Sequence, residues 1–549
     1  MASRSRASTY RQDRRAPLGR RVVAALRLGV ALSGLLALIS MPLPLGIDPH
    51  SHTAAHAGSP LAAGVAPVSG GAAQPAPPPA PPPTPVSVAI DTLQPRTPVP
   101  YGFLGLSFEM SALGELAGDG ARGDLVNLLR SLGPGVLRLG GVSADTQAAW
   151  TDAATPLPSW ASVAVTDREL RELATLAARS GWRVLFTLGL AHFEPIPAAR
   201  EAAAAKAALG KWLAAFEIGN EPDAYVENGL RTEPWTFAQY YPEALAYRQA
   251  IAHHAPGVAL AGPDVSGSHA FPRWGPPESA DLTPGLLTGH HYPLGCHKLP
   301  APSIEGLLSP ETRYKEQLSL GRYMTVAVSR RTPFRMTEAN TVSCGGTAGI
   351  SNTFASALWA VDYTARAMTT GLAGLNFQGA PANCSGYSPL CASTPARLSR
   401  GELHAQPEWY ALLMTRSLVG DRPLHTVIES SGSSNVDVQS LLAPTGALEV
   451  VLVDDDPPGS ASDSVSLRPN RRFGAASLLS LTAPSPQSTD GVRLGGREVQ
   501  PDGSWREPAK LPSVPDRNGA VIVTLAPSSA VLVRVAPAPP TRRAAHRRH

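Results

Sequence analysis

From about residue 101 the sequence repeats one pattern: a short apolar run, a polar or glycine-rich turn, then a stretch with apolar residues three and four apart. The apolar runs are FLGLSFE (103–109), VLRLGG (136–141), RVLFTLGL (183–190), AFEIGNEP (215–222), VALAGPD (258–264), LTGHHYP (287–293), FRMTEAN (334–340) and GLAGLNFQG (371–379). Between them, DRELRELATLAARSG, TFAQYYPEALAYRQAIAHHAPG and SNTFASALWAVDYTARAMTTG carry helical spacing and close on glycine, a frequent helix stop. Continuously apolar strands need cover on both faces, which a parallel sheet coated by its own crossover helices provides. Eight such units predict a (β/α)8 barrel, assigned to residues 101–405. A doubly wound open sheet is the alternative, disfavoured because no GxGxxG turn follows the first strand.

The helical rhythm stops after EWYALLMTRSLVG (408–420). The later runs LEVVLVDDD, ASLLSLTAP and AVIVTLAPSSAVLVRVAP are short, β-rich and separated by Pro, Gly and Asp turns, predicting an antiparallel β-sandwich over 406–537. At the other end, Arg-rich residues precede the apolar run LGVALSGLLALIS and small residues ending at Ala57, so residues 1–57 are expected to be an export signal or a retained anchor. Residues 58–86 are mostly Ala, Gly and Pro, culminating in PAPPPAPPPTP, a composition that favours extended polyproline II and forms a spacer. The last segment, 538–549, is a basic tail, expected to be disordered.

Charge changes the picture little. The chain carries +4 overall, but residues 1–57 hold +6 and the tail +4, so residues 58–537 stand at −6. The basic pI of 8.9 is therefore no sign of a nucleic-acid partner. Export permits disulfides, and of the three pairings open to four cysteines, Cys384–Cys391 within one loop and Cys296–Cys344 after two strand ends are expected. No CxxC motif or His/Cys grouping at zinc spacing occurs, and no metal or other cofactor is expected.

In a (β/α)8 barrel, catalytic side chains project from the C-terminal ends of strands into a common mouth. The predicted strand ends carry Glu109, Arg138, Asn220 with Glu221, Asp264, His290 with His291 and Tyr292, and Glu338 with Asn340. Glu221 and Glu338, on the fourth and seventh strands, fall on facing sides of the mouth. Two carboxyls facing across a sugar suit glycosidic cleavage, one protonating the departing oxygen and the other attacking the anomeric carbon, at about 5 Å for retention. Glu217, four residues before Glu221, points to the same face deeper in the barrel and reads as structural. Asp223 reads as a helix-start or loop acid. Arg138 and Asp145 read as an ion-pair and hydrogen-bond lattice beneath the mouth. Adjacent strand histidines diverge, so His290 and His291 are unsuited to one metal, and one of them is expected to pack or to orient the nucleophile.

The segments EIGNEPD (217–223) and TEANTVSCGGTAGISNTFASALWAVDY (337–363) resemble the family 79 glycoside hydrolases, the β-glucuronidase and heparanase group. GLSFEM (105–110), LRLGGVSAD (137–145), GHHYP (289–293), YSPL (387–390) and GVRLGGREVQPDGSW (491–505) resemble family segments in the same order, so the likeness spans roughly residues 87–537. It implies the barrel, a retaining two-glutamate mechanism, Glu221 as acid/base and Glu338 as nucleophile. It implies Asn220 as the partner of the sugar 2-hydroxyl and Tyr292 as a sugar-contacting tyrosine. Gly345, Gly346 and Tyr387 match the positions that clasp the uronate carboxylate. The strand VSVAIDT (86–92), in the segment 87–100, is implied to join the sandwich.

The expected function is a secreted or envelope-associated, exo-acting retaining β-glucuronidase that releases terminal β-D-glucuronic acid, or its 4-O-methyl ether, from glycans. An endo-acting enzyme of heparanase type would want Lys/Arg runs beside the motifs, and none is present. A non-catalytic carbohydrate-binding relative would have little use for both glutamates and Asn220. No nucleic-acid partner and no stable membrane span of the mature protein are expected.

Overall fold

The computed structural model describes residues 81–538 except Ala121 and Ser431. The expected signal, most of the spacer and the tail beyond Ala538 lie outside the described residues. Among those described, no helix is long and apolar enough to cross a membrane.

Eight parallel strands close into the predicted barrel: Leu104–Glu109, Val136–Gly140, Arg183–Leu188, Leu213–Ile218, Leu260–Val265, Leu286–His291, Phe334–Ala339 and Gly374–Gly379. Each pairs with the next, and the eighth closes on the first with Gly379 opposite Phe108. Helices form where the apolar spacing predicts them, as Asp167–Ser180, Phe237–His254 and Phe354–Thr370. The first of these shows how sequence sets its ends. The Thr166 hydroxyl accepts from the Arg168 N–H at 3.2 Å, Glu169 accepts from the Thr166 N–H at 3.1 Å, and Gly181 takes the left-handed conformation that stops the helix. Helix Pro407–Thr415 follows the eighth strand and packs along Phe354–Thr370, with Trp409 fully buried in the barrel's core, so the sandwich strands begin only at Arg422.

The main apolar core lies between the strands and their helices. Inside the barrel the apolar contact is small, Leu185, Ala215 and Ala261 with Val136 and Leu286 beside them. Toward the mouth the interior is polar: Ser107, Arg138, Thr187, Glu217, Asp264, Thr288 and Thr337 are all buried. Buried polar groups persist only where they find partners, and each of these makes at least one hydrogen bond to another of the set.

The remaining strands form two sheets. In the five-stranded sheet, Thr84–Asp91 lies between His425–Ser430 and Asp463–Pro469. The seven-stranded sheet has Leu448–Asp454 and Ser529–Pro537 at its centre. An apolar core that includes Val86, Val88, Val450, Leu452 and Val523 joins them. One pairing departs from the antiparallel expectation: Thr84–Asp91 runs parallel to Asp463–Pro469, since a strand entering from ahead of the barrel is not constrained by a hairpin. Two disulfides join Cys296 to Cys344 and Cys384 to Cys391, the expected pairs.

Candidate active site

Arg138, on the second strand and fully buried, organises the mouth. Its Nε donates to Glu217 Oε2 at 2.7 Å, Nη1 to Ser107 Oγ at 3.0 Å and Glu338 Oε2 at 2.9 Å, and Nη2 to Asn220 Oδ1 at 2.9 Å and Asp264 Oδ2 at 2.6 Å. A guanidinium has five N–H groups, and all five are used. Burial opposes its charge, but the carboxylates of Asp264, Glu217 and Glu338 outweigh that and hold it firmly protonated. Asp264, buried too, is kept below its ordinary carboxylate range: desolvation alone would raise it, and Arg138 and His290 overcome that. Burial pushes Glu217 up to about 7 against the opposing pull of Arg138.

Glu221 and Glu338 come together from positions far apart in the chain. An oxygen of each lies within 4.8 Å of the other and of a His290 nitrogen. Both oxygens of Glu338 are held, Oε1 by the Tyr292 hydroxyl at 2.7 Å and Oε2 by Arg138. Glu221, beyond its strand, lies in the left-handed region at φ 51°, and Asp264, within the end of its own, lies there at φ 56°. Such a backbone costs a non-glycine residue about 1–3 kcal/mol and persists only where its surroundings fix it. Here they do. Asp145 Oδ2 accepts the Asn220 N–H at 2.9 Å, the Glu221 N–H reaches Asp264 O at 3.0 Å, and Trp235 Nε1 holds the Pro222 carbonyl at 2.7 Å. Asp145 does not touch Arg138 directly but joins its lattice through Asn220, whose Oδ1 accepts from Arg138 and whose N–H donates to Asp145. Besides the Asn220 N–H it receives the Leu190 and Ala191 N–H groups and the Tyr225 hydroxyl.

His290 contacts Glu221 and not Glu338, while His291 is the histidine that packs. His290 Nδ1 contacts Glu221 Oε1 at 2.8 Å and its Nε2 contacts Asp264 Oδ1 at 3.0 Å. Burial disfavours its positive charge, but the charges of Asp264 and Glu338 and the two hydrogen bonds raise its pKa well above the usual range. With both nitrogens engaged, it has no lone pair for a metal between the two glutamates. His291 diverges as predicted and stacks on Tyr363, ring centroids 5.0 Å apart.

The cavity over these groups is about 640 Å³ and is lined by Glu109, Asn220, Glu221, Tyr292, Glu338, Gly345 and Tyr387, among others. Arg138 offers only donors, so it fixes Asn220 Oδ1 inward and leaves the amide N–H groups for the cavity. Tyr387 stacks beside Tyr292 with ring centroids 5.7 Å apart and hydroxyls at 3.3 Å. Gly345 and Gly346 follow Cys344 with φ of 89° and 86°. Gly345 lines the cavity, whereas the Gly346 N–H turns back to Ser343 O at 3.3 Å, and a Cβ there would lie 2.4 Å from the Tyr387 backbone nitrogen. Glu217 is buried below, held by Arg138 and by Thr187 Oγ1 at 2.8 Å. Asp223 accepts from Ser266 N and Oγ at 2.8 Å each, and burial pushes it up to about 6.

Sequence reasoning gave no role to Glu109 beyond its strand end. It accepts from Ser143 N at 2.9 Å, and burial, followed by the charge of Glu338, raises its pKa. Lys298 and Gln378 also line the cavity, and no local pattern in the sequence singles them out. Lys298 lies just after Cys296, which its disulfide carries toward the loop at Cys344, a signal visible only once the pairing is known.

No family model matches the chain. A curated β-glucuronidase of Neurospora crassa is 26% identical over 213 residues, which is 35% of this chain and 36% of that protein, so the likeness spans about a third of the relative's length. Among solved structures, a 4-O-α-L-rhamnosyl-β-D-glucuronidase from Fusarium oxysporum 12S matches with a TM-score of 0.63 at 18% identity, covering 81% of this chain and 99% of that one. A family 51 arabinofuranosidase from Xanthomonas axonopodis pv. citri matches with a TM-score of 0.60 at 14% identity, covering 82% and 100%. At these identities the structural likeness shows the fold, a (β/α)8 barrel with a sheet-rich C-terminal region.

Proposed function

We propose that this protein is a retaining, exo-acting β-glucuronidase of the family 79 type, acting on terminal β-D-glucuronic acid or its 4-O-methyl ether in glycans. The observation that carries this reading is the approach of Glu221 and Glu338 to within 4.8 Å across the mouth. Retention needs carboxyls about 5–5.5 Å apart, whereas inversion needs about 6.5–9.5 Å to admit a water.

Glu338, ionised and held by Arg138 and Tyr292, attacks the anomeric carbon while Glu221 gives its proton to the departing oxygen. The resulting glycosyl ester on Glu338 removes that carboxylate's charge, and Glu221 then takes a proton from the water that cleaves the ester. Asn220 donates its amide N–H to the sugar 2-hydroxyl, an interaction that strengthens as positive charge grows at the anomeric carbon. Tyr387 and the Gly345 N–H suit a uronate carboxylate in the same mouth, and Gly346 serves by letting Tyr387 approach. An exo mode fits the net −6 of residues 58–537, which gives a polyanionic chain little to lie on. The disulfides fit an oxidising compartment outside the cytoplasm.

The test is hydrolysis of aryl β-glucuronide, β-glucoside, β-xyloside and a heparan-type oligosaccharide, with the first-formed anomer read by NMR. Release of β-glucuronic acid, from the aryl glucuronide far ahead of the others, is expected. Equal rates on the glucoside would remove the uronate reading, and an α first product would remove retention. Preferred internal cleavage of the oligosaccharide would favour the endo mode.

A further inference from the structure

Far from the barrel mouth in the sequence, three carboxyls of the sandwich converge, and among the described residues no Lys or Arg is ion-paired to any of them. Asp454 ends a central strand of the seven-stranded sheet, Asp463 begins a strand of the five-stranded sheet, and Asp456 lies in the loop between. One oxygen of each lies within 4.8 Å of the others. Asp454 and Asp463 are both 0% exposed, their carboxyls lie against each other, and Oδ2 of each accepts from no N–H or hydroxyl group. Their remaining oxygens are fixed: Asp454 Oδ1 accepts from the Asp456 N–H at 2.9 Å, Asp463 Oδ1 from Ser434 Oγ at 2.5 Å and Asp456 Oδ2 from the Asn435 N–H at 3.2 Å.

Buried, unpaired carboxylates are costly, and such groups are normally paired or bound to metal. The carboxyls that converge on Asp454 are those of Asp456 and Asp463. Arg313, the arginine that reaches this loop, is committed elsewhere, to Asp455, to Asp362 at 3.0 Å and to Asn435 Oδ1 at 2.7 Å.

We propose that Asp454, Asp456 and Asp463 bind a calcium ion that ties the two sheets of the sandwich together. The ligands are oxygen only, as a hard cation requires, and calcium accepts an irregular carboxylate set completed by water where magnesium demands a near-ideal octahedron. The ion would hold the loop 455–462, whose Asp455 is paired with Arg313 on the barrel side. This site is independent of the proposed glycosidase chemistry.

The full chain, stripped with EDTA and dialysed, is titrated with calcium chloride by calorimetry, and its thermal midpoint is followed with and without the ion. One calcium per chain and a midpoint several degrees higher are expected, since an ion bound only by the folded state stabilises it by mass action. Asp463→Asn should weaken calcium binding at least tenfold and leave kcat on an aryl glycoside unchanged. Asp454→Asn should likewise weaken calcium binding and lose the rise in midpoint that calcium gives the wild type. Terbium luminescence reads binding in any variant too unstable for calorimetry. No binding at about 5 mM calcium, above the roughly 0.1–1 mM of weak extracellular sites, would overturn the proposal. Equal stabilisation by magnesium, or binding unaffected by Asp463→Asn, would overturn it as well.

Discussion

Arg138 Nη1 lies 2.9 Å from Glu338 Oε2, so the proposed nucleophile is held directly by a cation from the second strand. The same guanidinium reaches Asn220, Glu217, Asp264 and Ser107, linking the ends of the first, fourth, fifth and seventh strands. Arg138→Lys keeps a charge but loses the fork. It should lower kcat about 100-fold, the scale of one preorganised electrostatic contact, with a small change in KM. Arg138→Met leaves buried carboxylates unpaired and should cost about 3–5 kcal/mol of stability, read by urea unfolding.

The two glutamates should separate kinetically. Glu338→Gln should abolish turnover on every substrate, with less than about one part in a thousand remaining. Glu221→Ala should lose about 10²–10⁴-fold on substrates with poor leaving groups. It should lose much less on an activated aryl glucuronide, and external azide should restore its rate and yield the β-glucuronyl azide. Retention of full activity by either variant on an unactivated glycan would remove that residue from its role.

Recognition of a uronate should depend on the glycine turn. Gly346→Ala places a Cβ 2.4 Å from the Tyr387 nitrogen at φ 86°, so the backbone must move. KM for the aryl glucuronide should rise about tenfold or more, with the glucuronide-to-glucoside ratio falling in step. Tyr387→Phe should lower that ratio without disturbing the turn.

Stability should fall on acidification partly through Asp264. Its folded pKa lies below the ordinary 3.8, so its contribution is full above that pH and is lost as pH falls toward the folded value. The unfolding free energy should therefore drop steeply below about pH 4, and Asp264→Asn should be less stable at about pH 6 but show a shallower decline. Denaturant titrations at several pH values measure both slopes.

The bridge from Cys296 to Cys344 closes a separation of 48 residues between the Tyr292 strand end and the turn at Gly345. The chain-entropy model gives about 4 kcal/mol for a loop of that length. Replacing both cysteines by serine should lower the thermal midpoint and raise KM for the glucuronide, because Gly345 lines the cavity.

Much of this architecture was legible locally. The eight apolar runs became the eight barrel strands, because an apolar run bounded by turns records burial on both faces and needs no knowledge of its neighbours. The strand ends named the acids of the mouth for the same reason, since polarity at the end of a buried strand marks where solvent begins. Helix Pro407–Thr415 had the right spacing, but that spacing does not say which body a helix packs on.

What tertiary structure decided is who meets whom. Closure of the barrel set Glu221 within 4.8 Å of Glu338, gave His290 to Glu221 and not to Glu338, and joined Asp145 to the Arg138 lattice through Asn220. It turned the Gly346 N–H toward Ser343 while Gly345 faced the cavity. The parallel insertion of Thr84–Asp91 and the convergence of Asp454 with Asp463 belong to the same class. Hydrophobic periodicity fixes the face a residue presents, because burial is a property of each position. Partners across strands depend on register and closure, which join residues whose separation along the chain carries no local signal.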